Sequence, residues 1–473
     1  MELIVPRERS SIMQSKQITD FTEGSIPRHL IVFSIPMFLG NLLQAIYNTV
    51  DSIWVGRFLG PNALAAVSVG FPIIFTLIAL ITGITMSTTI LVSQYFGAKD
   101  HERMTKTVTN SIILLTILGI IVSAFGVTFR HSLLRLINTP PEIIDMASDY
   151  LAIFLAGLLG MFLYNVASAI LRGLGDSRTP LRFLFYTTVL NIVLDPLLIF
   201  GLGPIPAMGV AGAALATIIA QAISAYISLR YLYIKSDLLK YKPGMFRLDG
   251  QLTSLTLKIG LPAGIQQILV SLSSLVVNSI ANSFGATVIA GFGAASRLDH
   301  FAFMPAMSVG LAVSSLVGQN LGAGKTERVS EIVKWSALLA GGITSLVTLV
   351  AVIRPDILMV LFTKDDAVLA EGARYLRYVS LSYVPLALMF TVGGVIRGAG
   401  DTVATMFLTL LSLWVVRVPI ARYLSSLPNL GVSGVWIAIA LSPVMGLILH
   451  LIYYKTGIWK RRVIVQRPAE QES

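Results

Sequence analysis

The 473 residues are 55% hydrophobic and only 12% charged, against about 25% charged in a soluble globular domain, and their mean hydropathy is +0.78. Such a chain cannot cover itself with polar surface, which excludes a soluble enzyme, a disordered chain and a fibrous repeat. The absence of cysteine removes disulfide frameworks, thiolate metal sites and redox thiols.

Residues 1–28 are polar and of mixed charge. They lack a basic start, an apolar stretch and a small-residue cleavage site, so they read as a cytoplasmic tail and not as a signal peptide. Twelve apolar stretches follow, near 30–59, 63–92, 107–128, 148–171, 181–201, 209–233, 255–284, 287–317, 332–353, 375–396, 402–424 and 431–454. Each matches the roughly 20 residues a spanning helix needs. The expected fold is an all-α integral membrane protein of twelve transmembrane helices. The predicted division is a tail (1–28), a first lobe of six helices (29–234), a cytoplasmic link (235–254), a second lobe of six (255–454) and a tail (455–473). The net charge of +11 would suggest nucleic acid in a soluble protein, but here its distribution matters more than its sum. With the N-terminus inside, the inner links and tails hold 25 Lys and Arg and the outer links 8. The positive-inside rule then places both termini in the cytoplasm.

An internal repeat runs through the chain. Leu171-Arg172-Gly173-Leu174-Gly175-Asp176 returns as Ile396-Arg397-Gly398-Ala399-Gly400-Asp401, and Gln94-Tyr95-Phe96-Gly97-Ala98 as Gln319-Asn320-Leu321-Gly322-Ala323, both 225 residues on. Gly209-Val210-Ala211-Gly212 and Gly431-Val432-Ser433-Gly434 follow at 222, and Pro36 and Pro262 at 226. Six helices per half is an even number, so both halves enter the membrane in the same sense. That is a parallel repeat, and two bundles with a cleft between them suit alternating access.

Thr22-Glu23-Gly24-Ser25-Ile26-Pro27 leads into a first span carrying Pro36, Asn41, Tyr47-Asn48, Asp51 and Val55-Gly56-Arg57. With the Gln-x-x-Gly-Ala links, the paired Arg-Gly-x-Gly-Asp links and the Asn191–Pro196 stretch, the chain resembles the multidrug and toxic compound extrusion (MATE) family, in detail its prokaryotic DNA-damage-inducible (DinF-like) branch. The resemblance implies two six-helix lobes and efflux of organic cations driven by Na⁺ or H⁺. It also implies a monomer in the prokaryotic inner membrane whose partners are small organic cations and the lipid bilayer.

A carboxylate in hydrocarbon costs about 2.5–3.5 kcal/mol even on translocon scales, so each one is a functional candidate. Asn41, Gln44, Asn48 and Asp51 fall 0, 3, 7 and 10 residues apart and share one face of the first span. Interhelical hydrogen bonding explains the amides of Asn41 and Gln44 and explains Asp51 poorly. Asp195 precedes Pro196, which frees the carbonyl of Ile192, and Asn191 shares its face one turn back. Oxygen-only ligands suit a hard cation, and a desolvated carboxylate equally suits a proton. At about 1.5 Å per residue, Asp51, Asp195, Thr217 and Asn191 lie about 9–15 Å from the outer surface, in one layer. The family resemblance adds Asn165 as a cation ligand, although counting from Leu151 puts it about 21 Å deep. Asp51, Asp195, Asn191, Thr217 and Asn165 therefore form the expected Na⁺ or H⁺ coupling set, with Pro36 and Pro196 as bending points of their helices.

Asn41, Gln44, Asn48, Arg297 and Asp299 are candidates for the substrate cavity, although internal pairing with an arginine explains Asp299 better. Arg417 reads as structural. The resemblance's NorM-like branch carries coupling acids on helices 7 and 10, where this chain has none within the spans. Asp51 and Asp195 align near Val277 and Val418 in the repeat, so coupling is expected in the first lobe alone. Gly318 to Thr326 resembles a phosphate loop with one residue too many and no preceding strand, and the five histidines lack metal-ligand spacing. No enzyme activity, cofactor, nucleotide or nucleic-acid binding is expected. The expected function is a multidrug antiporter, with a flippase for a lipid-linked precursor as the alternative; a flippase would need a cationic cavity for pyrophosphate.

Overall fold

The computed structural model describes residues 18–201, 203–204, 206–235 and 247–465. The first part of the predicted N-tail, most of the inter-lobe link (236–246) and the end of the C-tail (466–473) lie outside the described residues. Without water in the hydrocarbon region, a spanning backbone must bond to itself, and a helix does so locally. Among the described residues there is accordingly no strand. The first half contains α1 (Ile26–Phe58), α2 (Pro61–Gly97), α3 (His101–Leu136), α4 (Pro141–Ala156), α5 (Leu158–Gly173), α6 (Arg178–Phe200) and α7 (Gly209–Lys235). The second contains α8 (Gly250–Asn282), α9 (Ala286–Gly322), α10 (Glu327–Ile353), the short α11 (Pro355–Met359), α12 (Asp366–Val379), α13 (Tyr383–Gly398), α14 (Thr402–Leu410), α15 (Val418–Ser425) and α16 (Val432–Thr456). A π-helical stretch, Leu411–Arg417, joins α14 to α15. Among the described residues eleven spans are long and apolar enough to cross a membrane, and α4 with α5 makes a twelfth, bent by 44°.

The bend falls at Gly157. A side chain there would collide with that of Ile218 on α7, so α7 reaches the backbone where the predicted single span breaks in two. Proline at the first position of α4 starts the helix earlier than its apolar run. Most other helices likewise run several residues beyond their apolar cores, because the helix continues to its cap.

The repeated motifs are helix punctuation. Gly175 and Gly400 have φ of +83° and +97°, a conformation glycine adopts without strain. Beside them, the amides of Asp176 and Asp401 donate back to the carbonyls of Leu171 and Ile396. The two aspartates then cap the following helices: Asp176 accepts from the amides of Arg178 and Thr179, and Asp401 from that of Ala404. Gly212 and Gly434 play one part twice. Each abuts the backbone of the preceding span, at Leu198 and Leu424, too closely for any side chain.

By contacts the chain falls into two units. Unit 1 is Met1–Asp20, Leu42–Ile81 and Asp100–Thr256, and unit 2 is Phe21–Asn41, Thr82–Lys99 and Leu257–Ser473. In unit 1, α7 packs against α4, α5 and α6. In unit 2, α9 packs against α13, α12 and α10, with Gly310, Gly394 and Gly398 allowing backbone approach between α9 and α13.

Candidate functional site

Unit 1 contains a cavity of about 250 Å³. Gln44, Asn48, Asp51 and Ser52 of α1 line one side, Phe71 of α2 and Tyr150 and Phe154 of α4 supply aromatic wall, and Thr217 and Gln221 of α7 close it. The spacing that put Gln44, Asn48 and Asp51 on one helical face thus brings them to one cavity. Gln44 donates to Asn48 (3.2 Å). No lysine, arginine or histidine lines this cavity among the described residues.

A buried polar network extends from the lining residues Tyr47 and Thr217. Tyr47, one residue before Asn48, is 5% exposed and donates its hydroxyl to Thr217 Oγ1 (3.2 Å). Asn191 Nδ2 donates to Asp195 Oδ1 (3.1 Å) and reaches Thr217 Oγ1 (3.5 Å). Asn191 and Asp195 are fully buried, and the Asp195 carboxyl lies within electrostatic reach of Asp51. Three oxygens remain over: Asp51 Oδ1, Asp195 Oδ2 and Asn191 Oδ1 are enclosed and have no hydrogen-bond partner among the described residues. Burying an acceptor without a donor is costly, more so for a charged one. A proton or a hard cation would relieve that cost.

The other candidate residues are placed as follows. Asn165 is half-buried, donates to the carbonyl of Met161 on its own helix (2.8 Å) and does not line the cavity. Asn41 belongs to unit 2, where it donates to Ser308 (3.1 Å). Pro36 lies inside the continuous helix α1 and Pro196 inside α6. The sequence pattern does not single out Tyr47 and Tyr150 as site residues, because an aromatic residue in an apolar span reads as packing.

Comparison with known proteins settles the family. The MatE family profile matches twice, over residues 36–197 and 262–423, in the register of the internal repeat. The chain belongs to the MatE family. Members of this MATE family are transporters and not enzymes, several of them named as multidrug resistance proteins, so the chain is a multi-pass membrane transporter. It is 36% identical to the "Probable multidrug resistance protein YpnP" of Bacillus subtilis, over 93% of this chain and 97% of that one. It is 28% identical to the "Probable multidrug resistance protein NorM" of Thermotoga maritima, over 94% and 96%. Among solved structures it is similar to a chain described as the outward-facing conformation of a multidrug resistance MATE family transporter, at 26% identity and TM-score 0.87, covering 94% of this chain and 99% of that one. It is also similar to a superfamily transporter of Pyrococcus furiosus, at 27% identity and TM-score 0.85, covering 94% and 98%. For that protein a binding pocket of reverse polarity is described as suggesting a different function.

In this MATE chain the second half treats its one mid-span acid differently. Asp299 of α9 is 6% exposed and accepts the hydroxyls of Tyr375 and Tyr383. Arg417, on the π-helical stretch, lies within electrostatic reach. Asp299 is thus bound by two phenols inside unit 2, while Arg297, two residues earlier, is exposed. Val277, the repeat counterpart of Asp51, is fully buried in an apolar cluster, and Val418, the counterpart of Asp195, packs against the same cluster.

Proposed function

We propose that this MATE transporter is a secondary active antiporter that exports organic, mostly cationic compounds in exchange for Na⁺ or H⁺. Coupling takes place at Asp51 and Asp195, with Asn191 and Thr217 completing the set. The observation that carries this reading is the trio of enclosed, unpartnered oxygens beside a cavity that has aromatic walls, an acid and no base. Oxygen donors suit Na⁺, and a buried carboxylate suits a proton. Asn191, bonded to both Asp195 and Thr217, keeps the oxygens aligned. Asn165 is not needed for this set.

Antiport follows from competition for one charge. Asp51 borders the cavity and also belongs to the oxygen trio. When the pair of carboxylates holds Na⁺ or H⁺, the cavity has lost the negative charge that attracts an organic cation. When the ion leaves, the charge returns. The two ligands therefore bind with negative coupling, which is reciprocal by linkage. Bending of α1 at Pro36 and of α6 at Pro196 would change the cavity's volume as the charge changes. The names of the relatives as multidrug resistance proteins support the substrate class. The flippase reading lacks support, because a pyrophosphate needs cationic groups and the cavity lining has none.

The test is uptake and efflux of ethidium by the purified protein in liposomes, under an imposed Na⁺ or H⁺ gradient. Gradient-driven ethidium movement supports the proposal. Movement of a lipid-linked pyrophosphate with no response to ethidium would replace it with the flippase reading.

A further inference from the structure

The two Gln-x-x-Gly elements of the repeat are not used by the coupling site. Within unit 2 they bring the last turns of α2 and α9 together. The contact is reciprocal. Gly97 lies on the carbonyl of Gln319 and Gly322 on the carbonyl of Gln94, each so closely that a side chain would strike the oxygen. One turn earlier Gly318 faces Ser93, and a Cβ on Gly318 would lie 2.9 Å from the Ser93 Cβ. Farther along, α2 meets α8 in the same manner, with Gly260 against the backbone of Gly83 and Ile84.

Each glutamine also holds one tail of the chain. Both are fully buried. Gln319 Oε1 accepts the amide of Phe21 (2.9 Å), and Gln94 Oε1 accepts the amide of Ile464 (2.9 Å). Gln94 Nε2 donates to the Gly398 carbonyl (2.8 Å). The N-terminal segment is held further by Asn320, Lys325 and Arg328, which donate to the carbonyls of Phe21, Thr22 and Gly24. A buried aromatic residue anchors each tail: Phe21 stands edge-on to Phe33, and Trp459 stacks on Tyr454. Part of the segment that resembles a phosphate loop, Gln319 to Lys325, is thus a backbone clasp.

We propose that this Gln-x-x-Gly crossing, strapped by Phe21–Gly24 and by residues 459–464, is the seal that closes the tail-bearing, cytoplasmic face in one transport state and must part in the other. The inference rests on the transport reading. Glycine backbones meeting without interlocked side chains can separate and re-form without repacking. The straps bond through backbone amides and carbonyls, while the buried Phe21 and Trp459 fix their positions.

The chain has no cysteine, which makes cross-linking direct. Ser93→Cys with Gly318→Cys places two thiols at the crossing, about 1 Å closer than the usual disulfide Cβ separation. The rate at which this variant moves ethidium in liposomes when reduced is the reference. When oxidised it should lose at least about tenfold and recover with dithiothreitol. A cross-linked protein that transports at the reduced rate overturns the seal. If Gly318→Cys impairs folding, Ser93→Cys alone is labelled with a membrane-impermeant maleimide. Labelling should accelerate several-fold while ethidium and a gradient are applied, and truncation after Arg462 should accelerate it without them. Equal rates in the first comparison overturn the seal, and equal rates in the second overturn the strap. Failure of the reduced and parent proteins to transport under any gradient would instead refute the transport reading.

Discussion

Asp195→Asn is the sharpest perturbation of the proposed coupling site. Asparagine keeps the size of the side chain and an oxygen able to accept from Asn191 Nδ2, so the 3.1 Å bond in the fully buried pair can survive. What is lost is one negative charge. At about 4 Å and an effective dielectric of about 20, a unit charge contributes about 4 kcal/mol to a bound cation. At 1.4 kcal/mol per tenfold, that is close to a thousandfold in Na⁺ affinity. For a proton the loss is complete, because the amide does not titrate. Asp195→Asn should therefore fold and insert normally, and should fail to drive ethidium against its gradient with either ion. The assay is ethidium transport in liposomes at matched protein content, with circular dichroism to check helix content. Asp195→Asn transporting at the parent rate under the same gradient would refute the reasoning, since the change removes the charge while the bond from Asn191 can survive. Asp51→Asn should behave alike, because Asp51 Oδ1 has no hydrogen-bond partner among the described residues.

Further outcomes follow from the packing. Asp299→Asn should leave gradient-driven transport in place, since the acid is held by Tyr375 and Tyr383; uncoupling by this change alone, with Asp195→Asn still coupled, would move the coupling site to unit 2. Asp299→Leu should destabilise by about 2–4 kcal/mol, because it strands two buried hydroxyls and Arg417, and a thermal melt in detergent reads this. Gly157→Ala should cost about 1–3 kcal/mol through the clash with Ile218 and should weaken ethidium binding, since both residues line the cavity; an unchanged melt and affinity would show that α7 can move away. Asp176→Ala should cost about 1 kcal/mol as a lost helix cap, with transport retained once folded.

The fold was largely legible because the bilayer imposes a length on each apolar run and the repeat imposes a register. The ends were not, since helices continue to caps such as Asp100, Asp176 and Asp401, beyond the apolar residues. The break at Gly157 left no mark: glycine is common in membrane spans, and only the approach of Ile218, 61 residues on, gives it a reason. The face formed by Gln44, Asn48 and Asp51 was readable from helical spacing. Its partners Tyr47 and Tyr150 were not, because aromatic residues have the same apolar context wherever they pack. The depth argument ran along straight helices and could not see that α5 restarts at Leu158. The partners of Asp299 lie 76 and 84 residues away on other helices, so no local pattern announced them.

The two halves show what a repeat retains and what it releases. Gly212 and Gly434, Gly175 and Gly400, and Asp176 and Asp401 keep the same backbone role in each half, because removing any one of them would add a clash, a strained turn or an uncapped helix. Chemistry is under no such constraint. Where α1 carries Asp51, the equivalent position in α8 is Val277, fully buried in apolar packing. A carboxylate there would have to be neutralised or paired at a cost of several kcal/mol, so the second half cannot hold a matching acid in its present packing. Its one mid-span acid, Asp299, is instead bound by two tyrosines contributed by α12 and α13. The asymmetric coupling proposed above is consistent with a repeated scaffold whose chemistry differs between the halves. One half has the oxygens left free to take an ion, and the other has its acid already satisfied.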